Sequence, residues 1–166
     1  MIKQNNSKFI YYFRLMNNNL QSFWKKENDF KCFCIHYRVK YADTDRMDMV
    51  YHGSYVHILE SARVETLREI GWVYSKMEED GLLLPVINLH MSYKKPGRYD
   101  QILRIETHVL KTPTSRIEFC FRIFNDVDLL LEAQVTLAFV DATTGRPRRA
   151  PVGLAQDLDK NELIHA

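Results

Sequence analysis

The chain has 166 residues and a net charge of +2, and 46% of its residues are apolar while 27% are charged. This composition is typical of a globular domain that buries its own core. It argues against a nucleic-acid-binding surface, because no long run of basic residues occurs, and against a membrane helix, because no apolar run approaches about 20 residues. We therefore expect a cytoplasmic protein with neither nucleic-acid nor membrane partners.

The first 29 residues, Met1 to Asp29, are rich in asparagine, lysine and aromatic residues. A secretory signal would need an apolar core of roughly 7–15 residues and a cleavage site of small residues. The run "FIYYF" is shorter than that, and Arg14 follows it. We predict that residues 1–29 form a poorly ordered extension ahead of the domain. An amphipathic helix that docks on the domain is the alternative.

The predicted domain begins with a strand and a long helix. Residues Phe30 to Ala42 alternate and are rich in aromatic and β-branched side chains, which favours a strand. From Ser54 onward apolar residues recur at helical spacing, and Gly71 stands where a helix would end. Residues Val73 to Gly81 suit a short second helix. The recurring apolar positions of the long helix are Tyr55, Ile58, Leu59, Ala62, Leu67 and Ile70.

Four strand-like runs separated by turn signals follow the helices. They are Leu82 to Lys94, Gln101 to Lys111, Ser115 to Phe124 and Leu129 to Val140. One long helix between a first strand and a four-strand meander predicts an α+β fold, in which an antiparallel sheet wraps around a central helix. We place the domain at residues 30–155 and a C-terminal tail at residues 156–166.

Three acids, Asp43, Asp45 and Asp48, stand shortly before the long helix. An EF-hand would need acids at loop positions one, three and five, glycine at six and glutamate at twelve. Here the third acid falls at position six and Ser54 at position twelve, so the motif fails. Acids near a helix N-terminus often serve only to satisfy its electrostatics, which is the structural alternative to a catalytic role.

The three cysteines, Cys32, Cys34 and Cys120, show no CxxC spacing, and the histidines form no HExxH motif. Neither a disulfide framework nor a zinc site is indicated by these patterns. We therefore predict no metal and no cofactor.

Asp43 and Asp45 also belong to a longer sequence pattern that extends through the predicted helix and strands. The string "DTD" is followed by "MVYHGSY", by "ESARVE" and by Gly71, and "PGRYD" and "FVDATTGRPRRAP" come later. Taken together, this pattern resembles the hot-dog acyl-CoA thioesterases of the 4-hydroxybenzoyl-CoA thioesterase type, especially the bacterial YbgC-like branch. The resemblance extends from Phe30 to about Pro151. It implies a hot-dog fold, acyl-CoA as substrate, and assembly into a homodimer or homotetramer.

The resemblance also implies roles for individual residues. The second acid of the Asp-x-Asp pattern is the catalytic carboxylate of the family, which is Asp45 here. The backbone N–H seven residues further on, that of His52, would polarise the thioester carbonyl. Further residues implied in substrate binding are Tyr51, Gly53, Tyr55 and Glu60, although Glu60 equally suits an ion pair with Arg63 on the helix surface. The chain departs from the family at Asp48, where relatives commonly have a glycine that permits a tight turn.

These residues suit thioester hydrolysis, because a helix N-terminus can stabilise the negative charge that develops on the carbonyl oxygen. Asp45 would act either as the nucleophile or as a general base toward water. The sequence thus predicts an acyl-CoA thioesterase. Three alternatives remain open: a thioesterase for carrier-protein substrates, a non-catalytic acyl-CoA-binding sensor, and a hot-dog dehydratase.

Overall fold

A computed structural model describes residues 21–27 and 30–165 of the chain, apart from the side chains of residues 21, 27 and 30. The helices are α1 (Ser54–Glu69), α2 (Tyr74–Glu79) and α3 (Val152–Lys160), and a 3₁₀ turn spans Tyr41–Asp43. The strands are β1 (Gln21–Glu27), β2 (Phe30–Arg38), β3 (Leu82–Leu83), β4 (Val86–Tyr93), β5 (Ile102–Val109), β6 (Arg116–Asn125), β7 (Asp128–Ala138) and β8 (Val140–Asp141).

Six of these strands form one antiparallel sheet in the order β1-β2-β5-β6-β7-β4, and β3 pairs with β8 in a small second sheet. The long helix α1 lies against β2 and β5. Within the described residues, no helix is long and apolar enough to cross a membrane. The predicted α+β architecture, an antiparallel sheet around one long helix, is confirmed.

The alternation of residues along the strands determines which face of the sheet carries the core. In β2, Phe33 and Ile35 belong to the apolar core together with Ile58 and Leu59 of α1. Successive strand residues point to opposite faces, so Cys32 and Cys34 lie on the face turned away from α1. Helix α1 is thus buried against one face only of a sheet whose other face carries polar groups.

The predicted boundary at residue 30 is wrong, because residues 21–27 form strand β1. This strand pairs with β2 along its length, with Trp24 opposite Phe33. The indole of Trp24 lies 5.2 Å from the ring of Phe33, and its Nε1–H donates to Glu69 at 3.2 Å. These contacts tie β1 to the sheet and to the end of α1. The remainder of the predicted extension, residues 1–20 and 28–29, lies outside the described residues.

The predicted tail at residues 156–166 is likewise corrected for residues 156–165. Helix α3 continues through residue 155 to Lys160, and Leu158 and Leu163 are fully buried. Beyond the helix, the chain pairs with the end of β5 through a bridge between Val109 and Ile164. These apolar residues make the segment part of the domain. Residue 166 lies outside the described residues.

Two predicted strands are shorter than expected. Strand β2 ends at Arg38 rather than at residue 42, because the carboxylate of Asp43 accepts the N–H of Lys40 at 2.7 Å and holds a 3₁₀ turn. The run from residue 82 to residue 94 divides into β3 and β4, which pair with different partners on either side of Pro85. Proline lacks the N–H that a continuous ladder would require.

Candidate active site

A cleft of about 310 Å³ opens beside the N-terminus of α1. Three segments line it: the loop that follows the 3₁₀ turn, the start of α1, and the chain that leaves β4. The lining residues are Asp45, Met47, Met49, Val50, His52, Tyr55, Tyr93, Lys94, Lys95 and Pro96.

The loop that carries Asp45 is closed by its own hydrogen bonds. The N–H of Asp45 donates to the carbonyl of Met49 at 3.0 Å, and the N–H of Asp48 donates back to the carbonyl of Asp45 at 3.1 Å. The carboxylate Oδ1 of Asp45 accepts the N–H of Met47 at 2.8 Å. No group in the described part of the chain donates to Oδ2 of Asp45. One oxygen therefore orients the carboxylate, and the other is available to a substrate or a water.

Asp48 adopts the left-handed backbone conformation, with φ of 55°. Glycine reaches this region without strain, whereas a residue with a side chain does so at a cost. The departure from the family glycine therefore falls at a position where a left-handed residue is needed. The carbonyl of Asp48 accepts the guanidinium N–H of Arg98 at 3.2 Å, which helps to hold the turn.

Asp43 differs from Asp45 in its surroundings. Its Oδ2 accepts the hydroxyl of Tyr37 at 2.9 Å and the N–H of Lys40 at 2.7 Å, and its carbonyl accepts the N–H of Tyr51 at 2.8 Å. These three bonds connect the end of β2 to the residues that precede α1. The side chain of Asp43 is thus engaged in fixing the loop.

The N-terminus of α1 borders the cleft through His52. No side chain caps this end of the helix, where Gly53 occupies the cap position. The backbone N–H of His52 has no acceptor among the described residues, while its carbonyl accepts the hydroxyl of Tyr93 at 3.2 Å. Since unsatisfied N–H groups and the helix dipole give this end a positive partial charge, it suits an oxygen that gains negative charge.

Tyr55 lines the cleft and is 2% exposed. Its hydroxyl accepts the N–H of Gly97 at 3.3 Å, and burial raises its pKa, so it is a neutral hydroxyl at physiological pH. A Cβ at Gly97 would lie 3.0 Å from that hydroxyl and 3.1 Å from Val50. Glycine at position 97 therefore lets the loop after β4 close against both walls of the cleft.

Three of the six predicted site residues line the cleft, namely Asp45, His52 and Tyr55. Tyr51 and Gly53 flank it: the ring of Tyr51 is 47% exposed and covers Gly53 so closely that a Cβ there would lie 2.6 Å from it. Glu60 is exposed on α1 and pairs with Arg63 at 3.0 Å, which is the alternative that the sequence offered. The structure does not bring Glu60 to the cleft.

The sequence reasoning missed the wall formed by Tyr93, Lys94, Lys95 and Pro96. The sequence predicts Tyr93 and Lys94 as the end of a strand and Pro96 as part of the family pattern, but it places none of them at a site. They reach the cleft because β4 is the last strand of the sheet and its end lies beside α1. An aromatic residue followed by two lysines at a strand end is the available signal, but it is a weak one.

Comparison with known proteins defines the family. The family model described as "Thioesterase-like superfamily" matches residues 39–158. The chain therefore belongs to this family of thioesterase-like proteins, and the resemblance inferred from its sequence is confirmed.

Individual relatives agree with that assignment. The chain is 33% identical to the acyl-CoA thioester hydrolase YbgC of Escherichia coli over 121 residues, which are 72% of this chain and 90% of the relative. It is 34% identical to the acyl-CoA thioesterase YbgC of Haemophilus influenzae over 115 residues, 69% of this chain and 85% of that protein. Among solved structures, it is similar to the DHNA-CoA thioesterase of Staphylococcus aureus, with a TM-score of 0.68 and 31% identity over 70% of this chain and 78% of the other. The fold is thus the hot-dog fold of thioesterases.

Proposed function

We propose that this protein hydrolyses acyl-CoA thioesters to the free acid and CoA. The observation that carries the proposal is that the Asp45 carboxylate and the start of α1, where the N–H of His52 has no acceptor among the described residues, line the same cleft. The family and the names of the relatives support the same reaction.

The two groups have complementary roles in this proposal. The thioester carbonyl lies with its oxygen toward the N–H of His52, which stabilises the charge that develops as the carbon is attacked. Asp45 then attacks the carbon to form a mixed anhydride that water hydrolyses, or it removes a proton from an attacking water. In both routes the carboxylate must be ionised, and the CoA thiolate leaves and takes up a proton.

The lining of the cleft also suits the two ends of the substrate. Met47, Met49 and Val50 offer an apolar wall for an acyl group. Lys94 and Lys95 lie at the same cleft and provide positive charge for an anionic carrier such as CoA, although each also pairs with an acid, at 3.1 Å and 2.5 Å. This combination supports CoA as the carrier.

We also propose that the active unit is at least a dimer. Strand β4 is an edge strand of the sheet, and most of its residues are exposed. Large apolar side chains are exposed on this strand and near the start of α1, among them Tyr51, Val56, Val86 and Ile87. A second copy that pairs with the edge would cover these groups. A monodisperse, fully active monomer in light scattering at the assay concentration would refute this assembly.

The experiment that tests the function is a hydrolysis assay on a panel of acyl-CoA thioesters and the matching acyl carrier protein thioesters. Free CoA is followed with a thiol reagent, and the signal of the three native cysteines is subtracted with an enzyme-only control. We expect turnover of at least one acyl-CoA that Asp45→Asn abolishes. Tight binding of acyl-CoA without turnover by the wild-type protein would refute the proposal and identify a sensor instead.

A further inference from the structure

Tyr93 lines the cleft, but its hydroxyl is directed at the protein backbone. The hydroxyl donates to the carbonyl oxygen of His52 at 3.2 Å, and the sulfur of Met91, at 3.6 Å, is the weaker acceptor of its single proton. In a regular helix the N–H of Val56, four residues further on, would bind that carbonyl. Here it donates to the carbonyl of Gly53 at 3.1 Å instead. Among the described residues, the hydroxyl of Tyr93 is therefore the group that satisfies the carbonyl of His52.

We propose that Tyr93 is a positioning residue, which fixes the backbone at His52 so that the N–H of His52 faces the thioester carbonyl. This inference rests on the proposed function, because it concerns the same site. The peptide group before the Cα of His52 is held by a bond from the N–H of Ser54 to the carbonyl of Tyr51 at 2.9 Å. The peptide group after that Cα is held by Tyr93. Since peptide groups are planar and rotate only about φ and ψ, holding both of them gives the N–H of His52 a defined direction.

The sheet in turn holds Tyr93 in place. Tyr93 is the last residue of β4 and stands opposite Leu131 of β7. The N–H of the next residue, Lys94, donates to the carbonyl of Leu130 at 2.8 Å. The ring of Tyr93 lies 5.8 Å from that of Tyr55 in an edge-to-face arrangement, which is a favourable geometry for an aromatic pair. The hydroxyl is thus carried by a fixed strand end, although the side chain is 48% exposed.

The direction of the N–H of His52 affects the rate through the transition state. A donor that stabilises a developing oxyanion acts at about 2.7–3.1 Å from the oxygen, and a misplacement of about 1 Å can lower a rate by about 100-fold. An interaction that is stronger in the transition state than in the bound substrate changes kcat more than KM. Removal of the Tyr93 hydroxyl should therefore lower kcat and leave KM nearly unchanged.

Two other roles for this hydroxyl predict different results. A general acid toward the CoA thiolate would need a proton to give, but the O–H of Tyr93 is donated to His52, and partial burial raises the pKa of Tyr93. Loss of such an acid would change the shape of the pH profile of kcat. A direct contact that is made equally in the bound substrate and in the transition state would chiefly raise KM when it is lost. A positioning role predicts neither change.

The proposal is tested with Tyr93→Phe in the full chain, which keeps the ring and its contact with Tyr55 but removes the hydroxyl. We expect kcat for acyl-CoA hydrolysis to fall by about 10–100-fold, KM to change by less than about twofold, and the shape of the pH profile to stay the same. Met91→Leu is the matched control, because it replaces the sulfur that lies 3.6 Å from the hydroxyl and leaves the bond to His52 in place. This control should retain the wild-type kcat.

A second readout tests the hydrogen bond without turnover. The amide proton of Gly53 belongs to the same peptide group as the carbonyl of His52, so its NMR resonance reports on the bond that this carbonyl accepts. We expect the resonance to move upfield in Tyr93→Phe and to stay in place in Met91→Leu. Circular dichroism should show the same fold in both variants, because Tyr93→Phe removes only the hydroxyl of a side chain that is half exposed.

The outcomes separate this inference from the proposed function. A wild-type protein that turns over no thioester refutes the proposed function, and the role of Tyr93 in it falls as well. If the wild-type protein is active, four results overturn only the role of Tyr93: equal kcat in Tyr93→Phe, a loss confined to KM, an altered pH profile, or an unchanged Gly53 resonance. A fall in kcat of similar size in Met91→Leu would also overturn it, because the effect would then not depend on the bond to His52.

Discussion

Replacing Asp45 with asparagine separates the proposed chemistry from the structure of the loop. Asparagine keeps a side-chain oxygen, which can still accept the N–H of Met47, a bond of 2.8 Å in the native loop. It cannot act as a nucleophile or take up a proton. We therefore expect the loop to keep its conformation while the charge-dependent step is lost.

The magnitudes differ for folding and for catalysis. Loss of charge on one partly exposed hydrogen bond should cost no more than about 1 kcal/mol in free energy of unfolding, or about 2–4 °C in melting temperature for a chain of this size. Loss of a nucleophile or general base lowers kcat by about 10²–10⁴-fold, which corresponds to about 3–5 kcal/mol in the activation free energy. The kinetic effect should thus far exceed the structural one.

Asp43→Asn provides the matched comparison. The Oδ2 atom of Asp43 accepts two hydrogen bonds, from the hydroxyl of Tyr37 and the N–H of Lys40. Weakening both should destabilise the fold by about 1–2 kcal/mol and reduce kcat less than about tenfold, below the range of a lost base. The assays are steady-state hydrolysis of acyl-CoA and thermal unfolding of both variants. If Asp45→Asn keeps more than about a tenth of wild-type kcat, or if both variants lose activity equally, the catalytic assignment of Asp45 is wrong.

Three further predictions test the cleft, the edge strand β1 and the half-buried His108. Gly97→Ala should lower kcat/KM and cost about 1–3 kcal/mol in free energy of unfolding, because the added methyl group overpacks the cleft. Gly153→Ala is the control: its Cβ would meet only Trp72 at 3.4 Å, so kcat/KM and stability should not change. Removal of residues 1–29 should lower the melting temperature by several degrees relative to removal of residues 1–20, because only the longer truncation deletes β1; equal melting temperatures would contradict this. Burial, with His165 and Arg122, lowers the pKa of His108 from 6.5 to about 4. Between pH 6.5 and pH 4 the unfolded chain therefore binds a proton at His108 that the folded chain does not. The free energy of unfolding, measured with urea, should fall by about 2 kcal/mol from pH 7 to pH 5. His108→Gln should reduce that loss, and an unchanged loss would refute the assignment.

The central part of the fold was predictable because its signals are local. The apolar period from Tyr55 to Ile70 indicates a helix of the observed length, and the structure has α1 at Ser54–Glu69. The alternating runs after it indicate strands, and the turn residues between them separate β5, β6 and β7 within one or two positions. These elements form through neighbours in sequence, so a periodic pattern suffices to place them.

Strand β1 was missed because its charge concealed its pattern. The first 29 residues are rich in asparagine and lysine, which favours the prediction of a poorly ordered extension. Two of these lysines, Lys25 and Lys26, instead form ion pairs at 2.7 Å with acids that lie far away in sequence, Glu106 on β5 and Glu162 after α3. A sequence read locally cannot show that these partners exist, so a paired edge strand resembles a disordered tail.

The candidate site was predictable on one wall only. Asp45, His52 and Tyr55 lie within eleven consecutive residues, and the family pattern contains all of them. The opposite wall follows β4, which is brought to the cleft by its pairing with β7 at the edge of the sheet. Side chains that meet through long-range strand pairing carry no fixed spacing in sequence, as is also the case for Cys34 and Glu106, which stand opposite each other in the register of β2 and β5.

The aspartate at position 48 shows how the chain forms the tight turn of the Asp45 loop without the family glycine. The left-handed conformation costs a residue with a side chain about 1 kcal/mol or more, and aspartate tolerates it better than most residues do. In return, the N–H of Asp48 reaches the carbonyl of Asp45, and its own carbonyl binds Arg98. Each hydrogen bond of this kind contributes about 1 kcal/mol, so the two together offset the strain. The tight turn that orients the Asp45 carboxylate is therefore compatible with aspartate at position 48.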